Sequence, residues 1–153
     1  MIPDVPPAVK NLLFRAVTGG HMALLRLTNG RLLGRLGRMP VVVLTTTGRR
    51  TGAPRRTVLT APVEEGRNVV LVASYGGDDR HPAWFLNLRE NPDVRLQIGS
   101  KDRPMRARVA SPEEREQLWP RIVAAYSGYA WYQRRARREI PVVILEPRPA
   151  DPS

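Results

Sequence analysis

The chain has 153 residues, with 25 Lys+Arg against 14 Asp+Glu and a formal net charge of +11. One folded core is the expectation at this length, and the absence of cysteine excludes a disulfide framework, a thiolate zinc site, an iron–sulfur cluster and a cysteine nucleophile. With only His21 and His81, a histidine-based metal centre is hard to build, so no metal is expected.

All basic residues except Lys10 and Lys101 are arginine, whose fork suits phosphate and carboxylate oxygens. Charge alone does not separate nucleic acid, an anionic membrane face and a small polyanionic ligand. No recognisable nucleic-acid reader motif accompanies the charge, so nucleic acid is not expected. The first residues lack a basic region followed by a long apolar run, and no stretch reaches 18 apolar residues, so a cytoplasmic protein is expected.

From the N-terminus, Val9, Leu12, Leu13, Ala16 and Val17 form one helical face that ends at Gly19-Gly20. A second short helix over Met22–Leu27 closes at Asn29-Gly30, after which Arg31, Arg35 and Arg38 interleave with Leu32, Leu33 and Leu36. Residues 1–39 thus read as a helical segment, either a lid packed on the body or a basic amphipathic surface anchor on an anionic membrane.

After Pro40, β-branched runs predict six strands: Val41–Thr47, Thr57–Val63, Val69–Ser74, Val94–Ile98, Met105–Ala110 and Pro141–Glu146. Glu64-Glu65-Gly66 and Gly99–Arg103 have hairpin spacing, which makes much of the sheet antiparallel. Two helices interrupt it. One opens at His81-Pro82, with Pro82 at its first position, and stops at Asn91-Pro92; the other opens on the capping box Ser111-Pro112-Glu113-Glu114. Pro120 is expected to kink or break the second, with a further helical stretch over Tyr126–Arg138 and a frayed tail from Pro147. The pattern predicts an α+β domain, a mainly antiparallel, partly closed barrel over 40–147 with helices packed around it.

Three clusters could carry chemistry. The turn Gly48-Arg49-Arg50-Thr51-Gly52-Ala53-Pro54-Arg55-Arg56 leaves a strand with four arginines and two glycines, and reads either as an anion cradle or as a solvated hairpin. It is neither a P-loop nor a dinucleotide fingerprint. Ser74-Tyr75-Gly76-Gly77 ends another strand and runs into the helix start at His81, whose amides suit negative charge, although a glycine pair there is usually a plain turn. Tyr126, Tyr129 and Tyr132 recur every three residues, as one wall of a pocket or as core, and the arginines over 134–138 read as a solvated face. No Ser/His/Asp set or carboxylate pair stands out, so an enzyme built this way borrows its chemistry from a cofactor.

Taken in order, Val43–Gly52, Ala73–Gly77, His81–Leu88 and Asn91-Pro92 resemble the deazaflavin-dependent nitroreductase family of actinobacteria, over about His21 to Glu146. The resemblance implies a split β-barrel, FMN-binding-like, with N-terminal and inserted helices. It implies coenzyme F420, a deazaflavin with a phosphate and an oligoglutamate tail, as non-covalent hydride donor to a small-molecule acceptor. That acceptor would be a quinone, an α,β-unsaturated carbonyl or a nitroaromatic.

By the same resemblance Arg49, Arg50, Thr51, Arg55, Arg56, Thr57, Val58, Leu59 and Thr60 contact the cofactor. Val72, Ala73, Ser74 and Tyr75, with Ala83, Trp84, Phe85, Leu86 and Asn87, flank its ring. Tyr126, Tyr129, Tyr132 and Ser74 face the substrate, and Tyr129 also faces the cofactor. Tyr75 stands where members often have lysine, and Ala83 where a bulkier residue is common. The alternative is a non-catalytic split barrel that binds a lipid, a flavin or haem; monomer and homodimer are both open.

Overall fold

The computed structural model describes residues 35–36 and 39–149. The two helices expected over Val9–Val17 and Met22–Leu27, the lid or anchor role built on them, and residues 150–153 lie outside the described residues. In chain order the elements are β1 Arg35–Leu36, β2 Met39–Thr47, β3 Pro54–Thr60, β4 Val63–Glu65, β5 Asn68–Val72 and a 3-10 turn Tyr75–Gly77. There follow α1 Ala83–Glu90, β6 Asp93–Ile98, β7 Lys101–Val109, α2 Pro112–Ala125, α3 Gly128–Arg135 and β8 Val142–Pro147. Strand β1 falls inside the segment read as helical: Arg35 and Leu36 pair with Pro40 and Met39.

Every ladder is antiparallel, in the order β1-β2-β6-β7-β8-β5-β4, with β3 also on β2. No hydrogen-bonded ladder closes the sheet among the described residues. Strand β3, paired on β2 at one end, and β4, at the other, are instead consecutive in the chain. The run expected as one strand over Thr57–Val63 is two, because Pro62 has no N–H for a ladder; the Ala61 amide still donates to the Pro40 carbonyl at 3.0 Å, and the chain then leaves β2 for β5. Both hairpins form, the second tighter than expected, since Ile98 already pairs with Lys101.

Residues alternate between two apolar faces. Val42, Leu44, Val69, Leu71, Val94, Leu96, Met105, Ala107, Val143 and Leu145 point inward, where Trp84, Phe85 and Leu88 of α1 join them. The opposite face carries Val70, Val72, Val142 and Ile144, covered by Leu118 and Ile122 of α2, Tyr129 of α3 and Ile140. Each fully buried aliphatic side chain contributes roughly 1.5–3 kcal/mol, so two apolar faces account for the β-branched runs that show no polar alternation.

The capping box forms: the Glu114 amide donates to Ser111 Oγ at 3.2 Å and the Ser111 amide to Glu114 Oε1 at 3.0 Å. Pro120 does not break α2, which runs continuously over Pro112–Ala125; the break comes at Tyr126, and α3 ends at Arg135 rather than Arg138. Pro120 is exposed on the solvent side while Leu118 and Ile122 hold the helix on the sheet. Nor is Pro147 frayed: it closes β8, and Arg148 donates through its amide and Nε to the Pro104 and Met105 carbonyls.

Candidate active site

The turn between β2 and β3 folds on its own backbone. The Gly48 amide donates to the Ala53 carbonyl and the Gly52 amide to the Gly48 carbonyl, both at 2.8 Å, with Gly52 at φ +73°. Asn87 of α1 anchors it. This side chain is only 4% exposed, yet its Oδ1 accepts from the Arg49 amide at 3.2 Å and from Arg49 Nη1 at 3.1 Å, while its Nδ2 donates to Thr46 Oγ1 at 3.1 Å. A buried amide with its bonds made holds the turn in one geometry.

Arg50, Arg55 and Arg56 are exposed, and Thr51 Oγ1 accepts from the Ala53 amide at 3.2 Å. The arginines with a carboxylate within ion-pair distance are Arg80, Arg95, Arg106, Arg108, Arg115, Arg121 and Arg148. None of the four turn arginines is among them, within the described residues. A concentration of uncompensated guanidinium groups on a braced turn attracts and orients an anion.

Beyond β5, Val72 and Ala73 are buried and Ser74 is half-buried. Tyr75 has φ +46°, followed by Gly76 at +63° and Gly77 at +84°, so a non-glycine residue is held in the left-handed region. Gly77 is required by contact as well: a Cβ there would stand 2.9 Å from the Tyr132 carbonyl of α3.

Arg138 fixes this loop. Its guanidinium donates to the carbonyls of Ala73 at 3.0 Å, Ser74 at 3.2 Å and, through Nε, Asp78 at 3.0 Å, and its Nη1 lies 3.2 Å from His81 Nδ1. Guanidinium is only a donor, so His81 Nδ1 accepts and the ring proton sits on Nε2. Burial, then Arg138, then Arg89, push the His81 pKa below its ordinary value and keep the ring neutral. Gln133 steers the chain to Arg138 by donating to its carbonyl at 2.8 Å and accepting from the Ile140 amide at 2.8 Å.

The three tyrosines form a triangle rather than a stripe, with centroid separations of 5.4 Å (126–129), 6.2 Å (126–132) and 6.1 Å (129–132). Tyr126 is the extended residue that ends α2, and only Tyr129 and Tyr132 share a helix. Tyr129 is buried, its hydroxyl 3.2 Å from Thr60 Oγ1 on β3 and 3.8 Å from Met39 Sδ. Burial raises its pKa, opposed by the Thr60 hydrogen bond; burial and the bond with Tyr126 push the Tyr132 phenol well above its usual range. Both remain protonated donors at neutral pH, and Tyr126 is the exposed member.

The residues assigned from the sequence therefore divide. Arg49 joins Asn87, Tyr129 joins Thr60, and the Ser74 loop joins α3 through Gly77. Of the 83–87 stretch, Trp84 and Phe85 point into the core and Asn87 is engaged with the turn, so Ala83 and Leu86 carry the accessible surface. On β3, Thr57, Val58, Leu59 and Thr60 are half-buried. Sequence reasoning missed Arg138 and Gln133: Arg138 belongs to a basic run, and its partners are largely backbone carbonyls, which leave no sequence signal. Among the described residues no group of three His, Cys, Asp or Glu side chains is placed to hold a metal, and no helix is long and apolar enough to cross a membrane.

Residues 18–147 match the model of the F420H(2)-dependent quinone reductase family. A Mycobacterium tuberculosis protein named F420H(2)-dependent quinone reductase is 40% identical over 132 residues, 84% of this chain and 88% of its own. A solved structure of an F420-H2 dependent reductase of type FDR-A is 46% identical, with a TM-score of 0.65 over 72% of this chain and 96% of its own. Another, described as a domain-swapped dimer, is 41% identical, with a TM-score of 0.67 over 84% and 95% of the two chains. The alternative of a non-catalytic carrier of lipid, flavin or haem gives way to these likenesses. A braced turn whose arginines have no carboxylate partner among the described residues fits a cofactor that carries a phosphate and a polyglutamate, and the chain belongs to the F420H(2)-dependent quinone reductase family, a coenzyme F420-dependent oxidoreductase with reduced F420 as its hydride donor.

Proposed function

We propose that the protein reduces a quinone to the hydroquinone, with Arg49, Arg50, Arg55, Arg56 and Thr51 holding the phosphate and oligoglutamate of F420. The observation that carries this reading is the set of four turn arginines that have no carboxylate partner among the described residues, set on a turn that Asn87 immobilises. Half-buried Thr57, Val58, Leu59 and Thr60 of β3, the backbone over 72–75, and Ala83 and Leu86 would border the deazaflavin ring.

Quinone reduction takes up a hydride and a proton, and F420, when bound in its reduced form, supplies the hydride. The chain's part is to hold the acceptor and place donors at the oxygen where charge develops. The Tyr126 hydroxyl, the Tyr132 phenol, which burial keeps protonated, and Ser74 are suited to that, with Arg138 fixing the Ser74 backbone. Tyr129 acts from behind, because Thr60 and Met39 occupy its hydroxyl. The protein that resembles this chain as a domain-swapped dimer makes a homodimer the assembly to test first, by light scattering.

The test of the cofactor site is fluorescence titration with oxidised F420, with and without its oligoglutamate tail. Arg49→Ala/Arg50→Ala is expected to weaken binding of the full cofactor by about tenfold or more, as the loss of charge-assisted hydrogen bonds implies. Equal affinity for both forms of the cofactor, in wild type and variant alike, would overturn the assignment of the turn.

A further inference from the structure

The inner face of the sheet changes character along three strands. Side chains of one parity share a face. On β7 the inward series Ala107 and Met105 continues to Arg103 and Lys101; on β8 Val143 and Leu145 continue to Pro147; on β5 Leu71 and Val69 are followed, at the next position of that parity, by Arg67. These positions converge at the end of the core away from α1. Thr46, bonded to Asn87 of α1, lies at the opposite end of β2 from Val42, which pairs with Ile98, which pairs with Lys101.

A cavity of about 430 Å³ opens there, lined by Arg67, Lys101, Arg103, Pro104, Pro147 and Arg148. Among the described residues no acidic side chain lines it. Arg67, Lys101 and Arg103 have no carboxylate within ion-pair distance among the described residues, whereas the neighbouring Arg95 and Arg106 each have one and Arg108 has two. Arg148 is held by the Met105 carbonyl at 3.1 Å and stands 3.9 Å from Asp93. Concave walls of one sign concentrate counter-ions. The two prolines have no N–H, so recognition falls to cationic side chains, and a guanidinium fork with a lysine point charge matches the oxygens of a phosphate. The volume exceeds that of one phosphate group and leaves room for an apolar portion against the proline rings.

We propose that this cavity is a second anion site, separate from the arginine turn, which takes a small molecule bearing one or two phosphate groups. Inorganic pyrophosphate is the probe, titrated calorimetrically into the full-length protein without F420, so the result does not depend on the reading of the turn. The expectation is one bound ion, with affinity lowered at least about tenfold in Arg67→Gln/Arg103→Gln. Arg134→Gln/Arg137→Gln, which removes the same charge elsewhere, should leave it within about twofold. Backbone amide shifts should centre on residues 67, 101 and 103, and saturating F420 should leave the affinity unchanged.

Equal losses in the two double variants would reduce the effect to net charge and overturn the site. Shifts centred on residues 48–56, or competition by F420, would move the anion to the turn and overturn the separation. Succinate binding as tightly as pyrophosphate would overturn the choice of phosphate.

Discussion

Asn87 shows how one interior amide can govern a surface turn. It makes three hydrogen bonds while 4% exposed, and it is the direct tie between α1 and the arginine that begins the cradle. Asn87→Ala leaves Thr46 and Arg49 without their partner, and a stability loss of about 1–3 kcal/mol follows in denaturant unfolding. F420 affinity should fall with it, since Arg49 then samples many rotamers. His81 supplies a pH dependence whose sign is fixed by its lowered pKa. Below its ordinary value of 6.5 the unfolded chain takes up a proton that the folded ring resists, so stability is complete above that pH and declines as the pH drops toward the folded value. Melting at pH 7.5 and pH 5 should show this decline, and His81→Gln should reduce it. At this scale the arginines, the tyrosines and Asn87 were all visible as residue types. Arg138 and the inward aim of Asn87 were not, because a bond to a distant carbonyl or hydroxyl depends on tertiary placement.

At the scale of elements, α2 holds a proline where propensity alone forbids one. Proline in a helix interior costs about 3 kcal/mol relative to alanine. The capping box contributes about 1 kcal/mol, and burial of Leu118 and Ile122 roughly 1.5–3 kcal/mol each, which together offset that cost. Pro120→Ala is therefore expected to stabilise the protein, by up to about 3 kcal/mol, and a raised melting temperature is the measurement. The β-branched strands after Pro40 and the Ser111 helix start were legible because β-branched runs and a capping box are local signals, whereas β1, in the segment read as helical, was not. The switch of partner at Ala61-Pro62 was read through as one strand over Thr57–Val63, although Pro62, which cannot sit inside a paired strand, is the local signal for it. The triangle of tyrosines was not legible, since it depends on the chain turning at Tyr126 and Ser127 rather than on helical spacing.

Over the whole molecule, β8 carries more than its length suggests. It lies between β7 and β5 and thereby joins the β2-β3-β6-β7 ladder to the β4-β5 hairpin. Val142, Val143, Ile144 and Leu145 are each at most 5% exposed, and Ile140 just before them is fully buried. At roughly 1.5–3 kcal/mol each, five such side chains match the whole stability of a typical domain. A chain cut after Glu139 should accordingly lack a cooperative unfolding transition by circular dichroism. Sequence composition identified Pro141–Glu146 as a strand but not as the one that joins the two ladders, because strand order is a property of non-local pairing.

The position of β8 also has a consequence for biosynthesis. A ribosome delivers β2 through β7 well before the strand that unites them, so a nascent chain shows two bare ladder edges, on β5 and β7, for as long as β8 is still in the exit tunnel. Maturation then becomes a late insertion between two waiting strands. Slower translation upstream of codon 142 would lengthen the exposure, and a chaperone that shields those edges would raise the yield of soluble protein.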